Sequence, residues 1–118
     1  MSIYDPHIGV DLDGTLAKYT RWEECQNVIG EPISPMVERV KSWLRRGIKV
    51  KIVTARVWSG HTDCERALQR RRIKEWCVAH IGCELEITSE KHPSMTELWD
   101  DKAISVEFNK GRCLWEAR

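Results

Sequence analysis

Two short β-forming runs constrain the fold most. His7–Leu12 stops at Asp13-Gly14, and Ile48–Val53 stops at Thr54-Ala55-Arg56. Each has the length of a buried strand, and each ends in polar, turn-forming residues. Between them, Ser34-Pro35 is a helix start, with Ser as N-cap and Pro at the first helical position. Met36, Val37, Val40, Trp43 and Leu44 follow at helical spacing, and Gly47 suits the stop. Strand, helix, strand in this order predicts a parallel pair joined by a crossover.

The pattern then repeats. Thr62-Asp-Cys-Glu65 matches a capping box, and Leu68, Ile73, Trp76, Cys77 and His80 mark the stripe of a second helix that ends at Gly82. Glu84–Thr88 reads as a third strand, and Thr96–Trp99 and Ala103–Val106 as a fourth and fifth flanking Asp100-Asp101. Residues 15–33 have no clear period and contain Gly30 and Pro32, so they read as a loop or small excursion. The alternation predicts an α/β domain of three layers, a central parallel sheet with helices on both faces. The strand carrying Asp11 should be central, between those ending at Thr54 and Asp100. A site then lies at the carboxyl ends of the strands.

The 118 residues, without internal repeat or low-complexity linker, fit one domain over 1–118. Nineteen Lys and Arg against eighteen Asp and Glu give a net charge of +1, which argues against a wholesale nucleic-acid or membrane-surface binder. No apolar run approaches the ~18 residues of a membrane span. The N-terminal residues include Asp5 and Asp11 and lack a basic stretch, unlike a signal peptide. Five cysteines, an odd number without CxxC spacing, predict free thiols in a reducing cytoplasm rather than a disulfide framework or zinc site.

Asp11-Leu-Asp13-Gly14-Thr15-Leu16 carries the most chemistry. An Asp-Gly turn after a strand is common, and only its company with Thr54 and Asp100-Asp101 makes it informative. Carboxylates converging at strand ends repel one another without a cation. An all-oxygen set of this kind suits Mg²⁺. Gly14 permits the tight turn.

With these residues in order, the chain resembles the haloacid dehalogenase superfamily of phosphohydrolases. That family's DxDGT motif stands here as Asp11 to Thr15, its strand-end Thr as Thr54, its Lys as Lys91 of Lys91-His-Pro93, and its acidic pair as Asp100-Asp101. The tail from Asp100 to Gly111 looks like small, phage-borne members, which usually have Arg where Lys102 stands. The resemblance implies a Rossmann-like fold without a cap domain and a phosphomonoesterase that uses Mg²⁺. Asp11 would attack phosphorus to form an aspartyl-phosphate, and Asp13 would serve as general acid and base while its carbonyl ligates the metal. Asp100 or Asp101 would complete the metal shell. Thr54 and Lys91 would hold the phosphoryl oxygens, with Lys102 and Lys110 as competitors for the lysine role. Arg56 either contacts substrate or forms an ordinary surface ion pair.

Residues 15–33 and 55–61 are too short for a cap. An open site suits a phosphorylated small molecule, a nucleotide or a polynucleotide end, with no obligate protein partner. Tyr19, Trp22 and Trp58 lie in loops that should overhang the site, for base stacking or for loop anchoring. Arg66, Arg70, Arg71, Arg72 and Lys74 read as a solvated helix face, offset by Glu65 and Glu75, or as a phosphate-backbone contact. His61, His80 and His92 lack ligand spacing and read as structural or exposed. The alternative function is a catalytically silent binding or regulatory module with a basic helix.

Overall fold

The structure, a computed structural model, describes residues 4–113. Its element order is β1 (His7–Asp11), α1 (Trp22–Cys25), α2 (Ser34–Arg45), β2 (Val50–Val53), a single 3₁₀ turn (Ala55–Val57), α3 (Asp63–His80), β3 (Glu86–Thr88) and β4 (Met95–Trp99). The four strands form one parallel sheet in the order β3-β2-β1-β4. β1 is therefore central, with the strands ending at Thr54 and Asp100 on its two sides, as the sequence pattern predicts. None of the described helices is long and apolar enough to cross a membrane.

Alternation along the strands places the core. Ile8, Val10, Val50, Ile52 and Ile87 point to one face, where they join Val37, Val40 and Trp43 of α2 and Ile73, Trp76 and Cys77 of α3 in a single buried cluster. The crossovers β1–α2–β2 and β2–α3–β3 advance in the same direction across the sheet. Right-handed crossovers then put both helices on the same face. No helix joins β3 to β4, and none follows β4 among the described residues. The expected three layers are therefore two. Residues 89–94 return the chain from β3 to the start of β4 in place of a third crossover helix.

The second face is covered differently. A bulge between His7 and Ile8 against β4 leaves Met95 opposite His7 and Leu98 opposite Gly9. A Cβ on Gly9 would lie 2.7 Å from Met95 Cε and 3.0 Å from Val53 Cγ2, so glycine admits the Met95 side chain over the sheet. Lys49 and Lys51 each bridge Asp5 and Glu86 at 2.9–3.3 Å, a charge square in which every member has two partners.

The fifth strand expected at Ala103–Val106 does not form. Ile104 and Val106 are exposed, with no neighbouring strand among the described residues. The chain turns instead at Asn109 (φ 61°) and Gly111 (φ 76°), and Val106 makes one isolated bridge to Cys113. All five cysteines are free.

Gly9→Val should destabilise the domain by about 1–3 kcal/mol, the usual effect of overpacking. Chemical denaturation of Gly9→Val and of Gly9→Val with Met95→Ala checks this. The second change should recover part of the loss, because Met95 is the side chain displaced.

Candidate active site

Strand register brings the site residues together. Asp11 pairs with Val53 and Val10 with Trp99, so Thr54 and Asp100 each stand one residue beyond, on either side of the end of β1. The turn that follows β1 is held from inside. Leu12 and Leu16 are fully buried, and Leu12 O accepts from the backbone N–H of Leu16 and Ala17 at 2.9 Å. Burying two leucines stabilises this turn by roughly 2–3 kcal/mol each. Trp99 anchors the acidic loop, with its ring 5.2 Å from that of Trp43 and the Arg39 guanidinium 5.4 Å from its centroid.

Gly14 is required twice over. Its φ is +90°, and a Cβ there would lie 2.8 Å from the Asp101 carboxylate. Thr15 completes the contact. Its hydroxyl donates to Asp101 Oδ1 at 2.9 Å and accepts from the Asp101 N–H at 3.0 Å. The β1 turn and the acidic loop are thereby locked together by one side chain.

Asp11, Asp100 and Asp101 offer carboxylate oxygens that all lie within 4.8 Å of one another, a set able to hold a metal ion. Burial, a hydrogen bond with Asp101 and the charge of Asp100 push Asp11 up to about 7. Burial also pushes Asp101 up, but its hydrogen bonds with Asp11 and Thr15 outweigh this and hold it below the usual range. Of the three carboxyls, Asp11 therefore holds its proton most readily in the absence of a cation. An all-oxygen, multiply anionic set suits a hard divalent ion in the place of that proton. The residues fit such a metal.

Asp13 points elsewhere. Its two carboxylate oxygens are taken by Arg56, Nε to Oδ2 at 2.7 Å and an η-nitrogen to Oδ1 at 2.8 Å. Arg56 is 2% exposed. Its other N–H groups reach Cys25 O at 2.9 Å, Gln69 Oε1 at 3.0 Å and Gln26 O at 3.5 Å, and its guanidinium lies 5.2 Å from the Trp22 ring centroid. All five donors are engaged within the protein. Arg56 is therefore neither a surface ion pair nor a free substrate contact. The Asp13 carboxylate, expected to be free for proton transfer, is bound on both oxygens.

These groups open on a cavity of about 300 Å³ lined by Asp11, Asp13, Thr54, Arg56, Asp101 and Lys102, with Tyr19, Trp22, Ala55 and His61 completing its walls. Thr54 is buried, and its hydroxyl accepts from Arg56 N at 3.2 Å, which leaves its own proton for a ligand. Lys91 is exposed on the 89–94 connector and does not line the cavity; Lys102 does. Of the three loop aromatics, Tyr19 and Trp22 reach the cavity. Trp58 packs against Gly60 and edge-on to His61, and serves as a loop anchor.

The basic stretch of α3 is largely spent internally. Arg66 donates to Ser59 O and His61 O, Arg70 to Ile87 O and Arg72 to Gln26 O. Sequence reasoning missed three participants. Thr15 was legible as part of a motif but not as a clamp, Gln69 was hidden in a helical stripe, and His61 had no ligand spacing to mark it. Comparison with family models, with curated proteins and with solved structures finds no match.

Two outcomes are expected. Arg56→Met should lower stability by about 3–5 kcal/mol, because it leaves the Asp13 charge half-buried and unpaired. Asp13→Asn in the same chain should recover part of that, read as a coupling energy in a urea double-mutant cycle. The second outcome concerns pH. Without metal, the raised Asp11 group contributes stability that is complete below its ordinary value near 3.8 and is lost as pH rises through about 7. A divalent cation competes with the Asp11 proton, so it should raise the melting temperature more at alkaline than at acidic pH. Thermal melts with and without Mg²⁺ on the two sides of neutrality check this.

Proposed function

We propose that the chain is an Mg²⁺-dependent phosphomonoesterase of the haloacid dehalogenase type, without a cap domain. The observation that carries this reading is the Asp11, Asp100 and Asp101 cluster at the carboxyl ends of β1 and β4, beside the cavity that Thr54 and Lys102 also line. The carboxylates of Asp11, Asp100 and Asp101, with the Asp13 carbonyl, would hold Mg²⁺. Bound there, the ion would neutralise charge on the phosphoryl oxygens.

Asp11 is the nucleophile. Its carboxylate attacks phosphorus, the leaving oxygen departs, and water then cleaves the aspartyl-phosphate. Thr54 and Lys102 hold the phosphoryl oxygens, the Lys as a point charge. Lys102 takes this role from Lys91, because it is the lysine that lines the cavity. Asp13 carries the proton: each of its oxygens accepts one hydrogen bond from Arg56 and keeps a second acceptor position, and the residue lines the cavity.

The excursion over residues 18–33 holds a single helical turn, α1, and leaves the cavity reachable from solvent. Tyr19 and Trp22 offer half-exposed rings in its wall. A nucleotide or a phosphorylated polynucleotide end fits a site with these walls, by stacking. The five free thiols fit a reducing cytoplasm. One observation favours the second reading, a silent binding module: the Asp13 carboxylate is bound on both oxygens by Arg56.

A single assay separates them. The protein with Mg²⁺ is offered nucleotides, sugar phosphates, and oligonucleotides with 3′- or 5′-phosphates, alongside Asp11→Asn. Turnover by the parent chain that EDTA abolishes is expected, with a loss on the order of 10³-fold or more in Asp11→Asn. Asp11→Asn should keep or raise the melting temperature, since it relieves carboxylate crowding. Failure of the parent chain on every phosphomonoester would overturn the phosphatase reading and favour the binding module.

A further inference from the structure

We propose that a second cavity, beyond Trp22, binds the part of the substrate that follows the reacting phosphate, and that this part is the end of a nucleic-acid single strand. The inference deepens the phosphatase reading and rests on it. The second cavity, of about 270 Å³, adjoins the one that Asp11 lines. Trp22, Arg56 and His61 line both, so the two share a wall. Asn27 of the 18–33 excursion stands on one side of the outer cavity, and Glu65, Leu68 and Arg72 of α3 stand on the other. The three α3 residues are three and four positions apart, which puts them on one helical face.

Trp22 supplies the stacking surface. The Arg56 guanidinium covers one side of its ring, 5.2 Å from the centroid, and the residue is still 38% exposed. A base laid on the uncovered side lies in the outer cavity, with Leu68 as an apolar neighbour. The Asn27 amide makes no hydrogen bond among the described residues, and it offers a base edge both a donor and an acceptor. Stacking of this kind needs a base free of its own neighbours, which the end of a single strand supplies.

The wall is formed in advance of any ligand. Gln26 O accepts from Gln69 at 2.8 Å, from Arg72 at 3.2 Å and from Arg56 at 3.5 Å, and Cys25 O accepts from Arg56 at 2.9 Å. These carbonyls stand at the end of α1. The helical turn that carries Trp22 is thereby pinned to α3 and to the turn after β2. An aromatic already held in place loses little freedom when a base stacks on it.

Arg72 separates a strand end from a free mononucleotide. One of its η-nitrogens donates to Gln26 O, and it has no acidic partner among the described residues. The other charged groups of the outer cavity are engaged elsewhere: Arg56 with Asp13, and Glu65 beside His61, with Oε2 3.3 Å from Nδ1. In the phosphatase reading the reacting phosphate is met by Thr54, Lys102 and the acidic cluster. An unpaired guanidinium one cavity further out suits a second phosphate, the phosphodiester that leads to the next nucleotide.

The test uses glycerol 2-phosphate, thymidine monophosphate and a thymidine dinucleotide with a terminal phosphate, the last two as 5′ and as 3′ esters, all with Mg²⁺. For the parent chain kcat/KM should rise along this series, by about tenfold or more at the first step. Trp22→Leu should lose on the order of 10- to 100-fold with both thymidine substrates, mainly in KM, and much less with glycerol phosphate. Trp22→Phe should recover most of that loss, because it restores a ring. Arg72→Gln should lose selectively on the dinucleotide and flatten the salt dependence of its KM. Equal losses on all three substrates would overturn the inference, and so would a parent chain that handles glycerol phosphate as well as the dinucleotide. Either result would leave the phosphatase reading standing. A dinucleotide preference unchanged in Arg72→Gln would overturn the strand-end assignment. A parent chain inactive on all three would overturn the inference and the phosphatase reading together.

Discussion

The Arg56–Asp13 pair is the interaction on which the site's architecture depends. Asp13 belongs to the turn after β1, Arg56 to the turn after β2, and the remaining Arg56 donors reach the 18–33 excursion and α3. One guanidinium therefore ties four segments at the carboxyl end of the sheet. A buried ion pair is seldom a strong source of net stability, since both ions must be desolvated. Its value here is geometric. A planar fork with five directed donors fixes the relative positions of backbone carbonyls that apolar packing alone would leave free to slide. Gln69 extends the tie, accepting from Arg56 and donating to Gln26 O at 2.8 Å, while Trp76 Nε1 holds the far end of the excursion at Gly30 O.

The second constraint is crowded negative charge. Asp11, Asp100 and Asp101 would not choose to converge, and the chain forces them together by register, by Gly14 and by the Thr15 hydroxyl. The strain appears in Asp11, pushed up to about 7 by burial and its neighbours. Such a cluster, kept against its own repulsion, is the pattern that a cation relieves. A fold that needed only a polar turn could use Asn or Ser at these positions without that penalty.

Much of this was legible because local and global signals agree. The strand runs ending at Asp11 and Thr54, the Ser34-Pro35 helix start, the Thr62 cap and Gly47 (φ 77°) all specify elements that form within a few residues of expectation. Strand order was legible too, because the polar residues had to meet. The second face was not. Alternation marks which residues of a strand are apolar, but nothing in Ser89–Ser94 distinguishes a short return from a loop that precedes a helix. Ile104, Val106 and Phe108 carry the alternation of a strand, yet they are exposed and only Val106 makes a single bridge, to Cys113. A β pattern requires a neighbour to become a strand, and the neighbour is a tertiary fact. Lys91 misled for a related reason. Its sequence position is compatible with a phosphate contact, but the return it sits on leads away from the cavity.

Asp11 and Asp13 show how one motif yields two chemical environments. They are two residues apart and both line the same cavity. Strand geometry sends Asp11 toward the acidic loop, while the bend at Gly14 lets Asp13 meet an arginine from the neighbouring strand end. One carboxylate therefore lies among anions and is pushed up to about 7; the other lies against a cation that bonds each of its oxygens once. Placing neighbouring carboxylates in opposed fields is the general means by which a fold separates acid from base and ligand from nucleophile. Here the separation is set by Arg56, a residue more than forty positions away in the chain that a parallel crossover returns to the same edge. The crossover that builds the sheet thus also assigns the chemistry of its carboxyl end.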